Sequence, residues 1–558
     1  MASFENEEPN RDNIASLEQE PLLHVDQIQG NILGGFNKDF QQFLFFEIVD
    51  PNLTKQWIQS ISSQISTTQE VVMFNRLYQM MWARRGSEPT GLIATWMNIA
   101  FSYAGLKKLV SEESLKDFSK SGPFAFGMKK RSGKLGDPRD QTSEGNPKNW
   151  VIGGDANSPD ILLVIASDSE LELTKKVQDI KTNSTVESGL KLVYEEAGRD
   201  RNDLPGREHF GFRDGISQPA VRGRFSTAPG DMLTKRWVDP SDEAFLTDAE
   251  LGEKLVWPGE FVFGYPAQSD ASLDPVPMED KDLPINYGVP VWAKNGSFLV
   301  VRRLRQDVAG FWEFLTEKGK ELNMCPTLMG TKMVGRWPSG APLMRSSEAD
   351  NHELAKDDHA NNHFLYESNT PDVKLSPDLN YTDPFPKAKE DFFGKLCPIS
   401  AHIRKVNPRD SATDIVGAFS ALTRRILRRG IPFGSPLNVD MSMPPYSDTE
   451  NGNRGLMFLC YQTRIEFQFE FLTQRWANSP EFPTGSRCTS SGDVCPTPGE
   501  DPIIGQNGND SNGNRSRSFT YAPNQSMNIM KEFVIPTGGE YYFQPSIDAL
   551  KTVIGNQA

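Results

Sequence analysis

The chain has 558 residues, too many for one ordinary hydrophobic core, so two domains of roughly 200 to 300 residues each are expected. Apolar residues make up 37% and charged residues 24%, which excludes a disordered chain, and no window nears the roughly 18 uninterrupted apolar residues of a membrane span. With 74 Asp plus Glu against 59 Lys plus Arg the formal charge is −15, which repels phosphate backbones and argues against a nucleic-acid partner.

Residues 1–22 read as a polar tail, and the acidic start Met1-Ala2-Ser3-Phe4-Glu5 lacks the basic and apolar stretches of an export signal. Cytosol and secretion both stay open. Order is expected from about Val25. A strand at 43–49 leads through Asp50-Pro51 into a helix carrying Trp57, Ile61 and Ile65. A second strand at 96–101 runs into a short helix with Leu106 and Leu109, and a third at 161–166 precedes a helix opening on the acids Asp168 and Glu170. The later half repeats this grammar, with a strand at 297–304 before a helix with Val308, Phe311 and Phe314, and a strand at 455–461 before a helix from Ile465 to Trp476. Such a duplication predicts two α+β domains, 23–240 and 241–558, after the 1–22 tail, with a ligand cleft between them.

Two stretches, about 337–385 and 479–520, are rich in polar, Gly and Pro residues and are expected as mobile surface loops that bury little. The first holds His352, His359 and His363 beside Asp357 and Asp358, a weak candidate for a metal cluster. The second holds Cys488 and Cys495, a pair that forms a disulfide or remains two thiols according to compartment.

Three segments can carry chemistry. In Gly211-Phe212-Arg213-Asp214-Gly215 two glycines let the backbone turn tightly around an acid, which alone is only a turn. In Cys397-Pro398-Ile399-Ser400-Ala401-His402-Ile403-Arg404-Lys405-Val406-Asn407-Pro408-Arg409 an imidazole lies between apolar residues and cations, where it can ligate iron while guanidinium groups meet carboxylates. Arg424-Arg425-Ile426-Leu427-Arg428-Arg429-Gly430-Ile431-Pro432 is strongly basic and by itself reads as a solvated face.

In this order the three segments resemble the signatures of dye-decolorizing peroxidases, the larger fungal members above all. Gln29-Gly30-Asn31-Ile32-Leu33, Gly335-Arg336-Trp337-Pro338-Ser339-Gly340 and Phe533-Val534-Ile535-Pro536-Thr537-Gly538-Gly539 add matches across the chain. The resemblance implies an α+β fold of two ferredoxin-like domains, antiparallel sheets with peripheral helices, and one haem b per chain between sheet and helices. It implies Asp214 as distal acid-base, Arg428 as distal arginine and His402 as axial iron ligand. Arg404 and Arg409 are expected to meet the haem propionates, Leu456 and Phe458 to line the peroxide pocket, and Asp501 to hold the other nitrogen of His402. Trp476 is similar to the exposed tryptophan that relays electrons from bulky dyes, whereas Phe433 has no phenol for a tyrosyl route. The implied activity is oxidation of dyes, phenolics and lignin-related aromatics by hydrogen peroxide through a ferryl haem, with Mn(II) as a further substrate ion. The competing readings are a haem-handling protein on the same scaffold and a haem-free interaction protein. Monomer and homodimer both remain open.

Overall fold

Alternation of side chains along the strands decides the architecture. In the computed structural model the described residues are 20–557 without 88, 90, 119–121, 229, 270–274, 277–288, 412, 414–416, 438–447, 449–451, 484–496 and 507–514. Cys488 and Cys495 lie outside the described residues, as does nearly all of the expected N-terminal tail.

The first half contributes β1 (Phe40–Ile48), α1 (Pro51–Ile61), α2 (Thr68–Arg85), β2 (Thr95–Ser102), β3 (Ile161–Ser167), α3 (Glu170–Lys181) and β4 (Leu190–Arg199). The second contributes β5 (Ser297–Gln306), α4 (Val308–Leu322), the short helix α5 (His402–Val406), β6 (Ile431–Phe433), β7 (Gly455–Gln462) and β8 (Val534–Gln544). Local chemistry explains the boundaries. Asp50 accepts hydrogen bonds from the backbone N–H groups of Asn52 and Leu53 ahead of Pro51, which starts α1. Asp307 caps α4 in the same way through Gly310 N–H.

Strand order is β2-β3-β1-β4 in the first half and β8-β5-β7-β6 in the second, with antiparallel pairing throughout. Each is the βαββαβ, ferredoxin-like order, so the duplication read from the sequence is a duplication of topology. The two sheets then join edge to edge. β8 meets β2 through Tyr542↔Ser102 and Phe543↔Phe101, and β6 meets β4 through Phe433↔Gly198. The result is one closed sheet. Its two faces bury separate cores: Leu44, Phe46, Leu163 and Phe298 pack on the helices, while Phe43, Phe45, Leu162 and Leu299 fill the other face.

Three expectations need correction. Order begins earlier than Val25, because Glu20 is buried and its carboxylate pairs with Arg222 at 2.7 Å and with Arg236. The stretch 337–385 is not a loop that buries little: Trp337, Leu343, Phe364 and Tyr366 form a core of their own. Arginines make this affordable, since the buried Arg345 guanidinium donates to the carbonyls of Ala360, Phe385 and Pro386 and satisfies backbone that water would otherwise serve. The helix expected from Ile465 begins at Phe469 and ends in a π-helical turn, Leu472–Ala477.

Candidate active site

His402 opens α5, and its ring is buried between two carboxylates. Nδ1 lies 2.7 Å from Asp501 Oδ2. A carboxylate only accepts, so the proton sits on Nδ1 and the lone pair on Nε2 is left for another partner. Asp501 is itself fully buried and fixed, its Oδ1 accepting from Ile503 N–H at 2.9 Å and Ile504 N–H at 3.0 Å. Burial opposes a charged imidazole, but the nearby Asp501 carboxylate, and Asp214 beyond it, hold the His402 pKa above its ordinary value.

Asp214 Oδ2 stands 3.6 Å from His402 Nε2 on the opposite side of the ring from Asp501. Its segment is held by residues that sequence reasoning passed over. Gly211 sits at φ +95°, a conformation that disfavours any side chain. The Glu208 carboxylate accepts from Phe210 N–H at 2.6 Å, from Phe212 N–H at 2.9 Å and from Gln306 Nε2. Burial first, and the Asp214 charge second, push the Glu208 pKa up to about 7. Arg428 is tied to the same segment: its Nη2 donates to Ser217 O at 2.7 Å, while Gln218 accepts from Arg428 N–H at 3.3 Å and donates to Arg428 O at 3.1 Å.

His402, Asp214 and Arg428 all line one cavity of about 570 Å³, within the range of a cofactor site. It lies between the β5–β7–β8 face and the loops and helices over it, and it reaches the surface beside Asn37, Asp39 and Gly206. Leu456 and Phe458, two residues apart on β7, share one face and both line it. A smaller recess of about 70 Å³ continues from the same three residues and is walled by Arg336, Arg409, Arg424 and Arg425.

The arginines depart from expectation in part. Arg404 lines neither space; it is buried and donates to Cys397 O at 2.8 Å and Asp391 O at 3.0 Å. Arg409 does reach the recess, but its Nη atoms already donate to Asn362 and Phe364. Arg336 and Arg425, which the sequence did not single out, complete the wall. Burial, with Arg409 adding to it, lowers both to about 9. Arg336 Nε is buried with no partner among the described residues.

Trp476 also differs from expectation. It is 2% exposed and stacks on Phe482 with centroids 4.8 Å apart, so no bulky dye can touch it. Among the described residues no group of three His, Cys, Asp or Glu can hold a metal ion, which leaves the Mn(II) expectation without a ligand set there. His359 is paired with Glu250 and His363 lies beside Lys387, so the loop histidines do not converge.

These residues suit haem in their donor chemistry. An imidazole whose Nδ1 is held by a buried carboxylate has its supporting partner in place for ligating iron, and a wall of guanidinium groups, with Arg336 Nε unpartnered among the described residues, suits propionate carboxylates. One spacing is tight. A flat ring bonded to Nε2 on one face and in contact with Asp214 on the other needs about 5.5 Å, so Asp214 stands about 2 Å too near His402. Open space lies beside this segment, since a side chain at Gly215 would meet nothing within 4 Å.

Residues 27–202 match the family described as DyP dimeric alpha+beta barrel domain, and residues 277–482 match Dyp-type peroxidase, C-terminal. Peroxidase 2 of Mycetinis scorodonius is 30% identical over 95% of this chain and 88% of its own. A dye-decolorizing peroxidase of Auricularia auricula-judae is 31% identical over 95% and 86%. Among solved structures, an ancestral D-type dye decolorizing peroxidase superposes with a TM-score of 0.69 at 31% identity, covering 95% of this chain and 99% of that one. On this similarity over nearly its whole length, the chain belongs to the dye-decolorizing peroxidase family.

Proposed function

We propose that this chain is a haem-dependent peroxidase that reduces hydrogen peroxide and oxidises dyes, phenolics and lignin-related aromatics. The observation that carries the reading is the convergence of the Asp501-supported His402, Asp214 and Arg428 on one cavity. Bound haem would supply a redox-active iron for peroxide, held by His402 Nε2 with its propionates toward Arg336, Arg409 and Arg425. The residues of the chain do the rest. Asp501 keeps the proton on Nδ1 and the lone pair on Nε2. Asp214 Oδ2 takes a proton from one peroxide oxygen and returns it to the departing one. Arg428 offsets negative charge that develops there and, through Ser217 and Gln218, holds the Asp214 segment in reach. Leu456 and Phe458 keep the cavity apolar and narrow.

The haem-handling alternative has a weaker footing, because a deferrochelatase of Yersinia pestis matches 34% of this chain while the peroxidases match nearly all of it. Stopped-flow mixing of the haem-loaded protein with peroxide tests the choice. The Asp214→Asn protein should keep its haem spectrum and react with peroxide roughly 100- to 10,000-fold more slowly. An unchanged rate would overturn the peroxidase mechanism and leave Asp214 a structural residue.

A further inference from the structure

We propose that Glu208 is a positioning residue for Asp214, the clamp on the turn that presents the Asp214 carboxylate and a second carboxyl in the same cavity. The inference rests on the peroxidase reading above. One residue closes the turn. The Glu208 N–H donates to Phe212 O at 3.3 Å, its carbonyl accepts from Gly211 N–H at 2.9 Å, and its two carboxylate oxygens take the N–H groups of Phe210 and Phe212. The two aromatic rings then seat the turn on α4. Phe210 lies against Phe311 with centroids 4.3 Å apart, Phe212 stacks on Trp312, and Trp312 Nε1 donates to Phe210 O at 3.2 Å. Asp214 follows two residues later, so this turn sets where its carboxylate stands. A glutamine would set its NH₂ against one of the two N–H groups, so the clamp calls for a carboxyl. That requirement brings a second ionisable group into the cavity beside the first.

The surroundings of Glu208 suit a carboxyl that changes state. Of the charged groups around it, Arg201 is paired with Asp203, and Arg302, on the same face of β5 as Gln306, is paired with Asp137 at 2.6 Å. From α4 it meets the neutral Phe311 and Trp312 side of the turn, and from its own segment the Asp214 carboxylate. Burial and then that charge put its pKa at about 7, so it keeps its proton in acid. Gln306 can serve both states. Its Nε2 donates to the carboxylate, and its Oε1, buried with no partner among the described residues, can accept from the carboxylic acid once the amide turns over. When Glu208 ionises, a second negative charge enters the cavity where Asp214 passes a proton to a departing oxygen and Arg428 offsets the charge that develops. That added charge opposes the transfer.

Stopped-flow mixing of the haem-loaded full chain with peroxide across pH reads this. In the parent the rate should fall roughly tenfold between pH 6 and pH 8, the span over which Glu208 loses its proton. Glu208→Gln should be slower than the parent at the acid end, because the clamp is weakened, and should show no such fall. Gln306→Leu takes a donor from the carboxylate and should move the midpoint up by roughly half a unit to one unit. Infrared difference spectra of the full chain with isotope-labelled glutamate follow the carboxyl itself, without turnover. A band that titrates near 7 in the parent should be absent from Glu208→Gln and should titrate lower in Asp214→Asn, where the neighbouring charge is gone. If Glu208→Gln takes up no haem, the Gln306→Leu midpoint and the infrared titration decide. The inference fails if the band titrates alike in the parent and Asp214→Asn, if Gln306→Leu leaves the midpoint in place, or if Glu208→Gln keeps the fall, the mark of a clamp with no coupling by charge. A parent inert to peroxide at every pH overturns the peroxidase reading and this inference with it. A reactive parent with a slow Asp214→Asn protein, beside a Glu208→Gln protein that keeps the fall, overturns this inference alone.

Discussion

Replacing Asp501 by asparagine isolates the support of His402 from everything else in the site. The exchange conserves volume, and the two backbone N–H groups of Ile503 and Ile504 require an acceptor on their side. The new amide must therefore turn its oxygen toward them and its NH₂ toward His402 Nδ1. Two donors cannot face each other, so the imidazole proton moves to Nε2, the nitrogen that Asp501 leaves free for iron. Loss of such a supporting carboxylate typically costs 10- to 100-fold in metal affinity, about 1.4 to 2.7 kcal/mol. The fold should suffer little, about 1 kcal/mol, because both backbone donors keep their partner. Titration of the apoprotein with haem, followed at the Soret band, measures the affinity, and urea unfolding of the apoprotein is the control. An Asp501→Asn protein that binds haem within twofold of the parent, with an unchanged histidine-ligated spectrum, would refute the argument that Asp501 sets the tautomer.

Three further outcomes follow from the same geometry. Glu208 is raised to about 7 by burial and by Asp214, so its folded pKa lies above its unfolded one and stability falls as pH rises from about 4.5 through 7. Glu208→Gln sets its amide NH₂ against Phe210 or Phe212 N–H, so it should lose about 1 to 3 kcal/mol against the parent at pH 4 and recover up to about 3 kcal/mol of that by pH 8, and urea curves whose difference does not change with pH would contradict this. Arg425→Gln removes a buried cation from a crowded wall, so the apoprotein should melt higher while haem affinity falls; scanning calorimetry with and without haem reads both, and a lower apo Tm would refute the crowding. Trp476→Phe preserves the stack on Phe482, and steady-state turnover of bulky dyes should stay within about twofold, because a ring 2% exposed cannot receive them; a severe loss would restore Trp476 as a relay.

Much of the site was legible because its chemistry is carried by short segments whose residue types are unusual together. An acid between glycines, a histidine beside cations and a basic run before Gly430 each meant little, and their order meant a peroxidase. What failed was direction. Arg404 lies two residues after His402 on a helix, about 200° round the axis, so the side chain proposed to ligate and the one expected to assist it point apart. Arg336 comes from a helix end far away in sequence and Arg425 from a run that looked solvated, and only folding brings them to one recess. Trp476 sits in a π-helical turn, whose wider spacing aims side chains where a helical reading does not. In the fold, alternating apolar strands were visible, whereas β4, with Lys191, Glu195 and Glu196 along its length, carried too many charges to stand out.

The edges where the two sheets meet are slight, two register pairs at one and a single pair at the other. Backbone pairing there is too sparse to hold the ring closed, so closure is owed to the aromatic interior that both halves contribute. His402 and Arg428 stand on the later half, while Asp214 stands on the segment that leaves the earlier one. On the function proposed above, a chain cut short during synthesis would have neither a finished interior nor the His402 that would hold iron. Completion of the fold would then come before any oxidant can form.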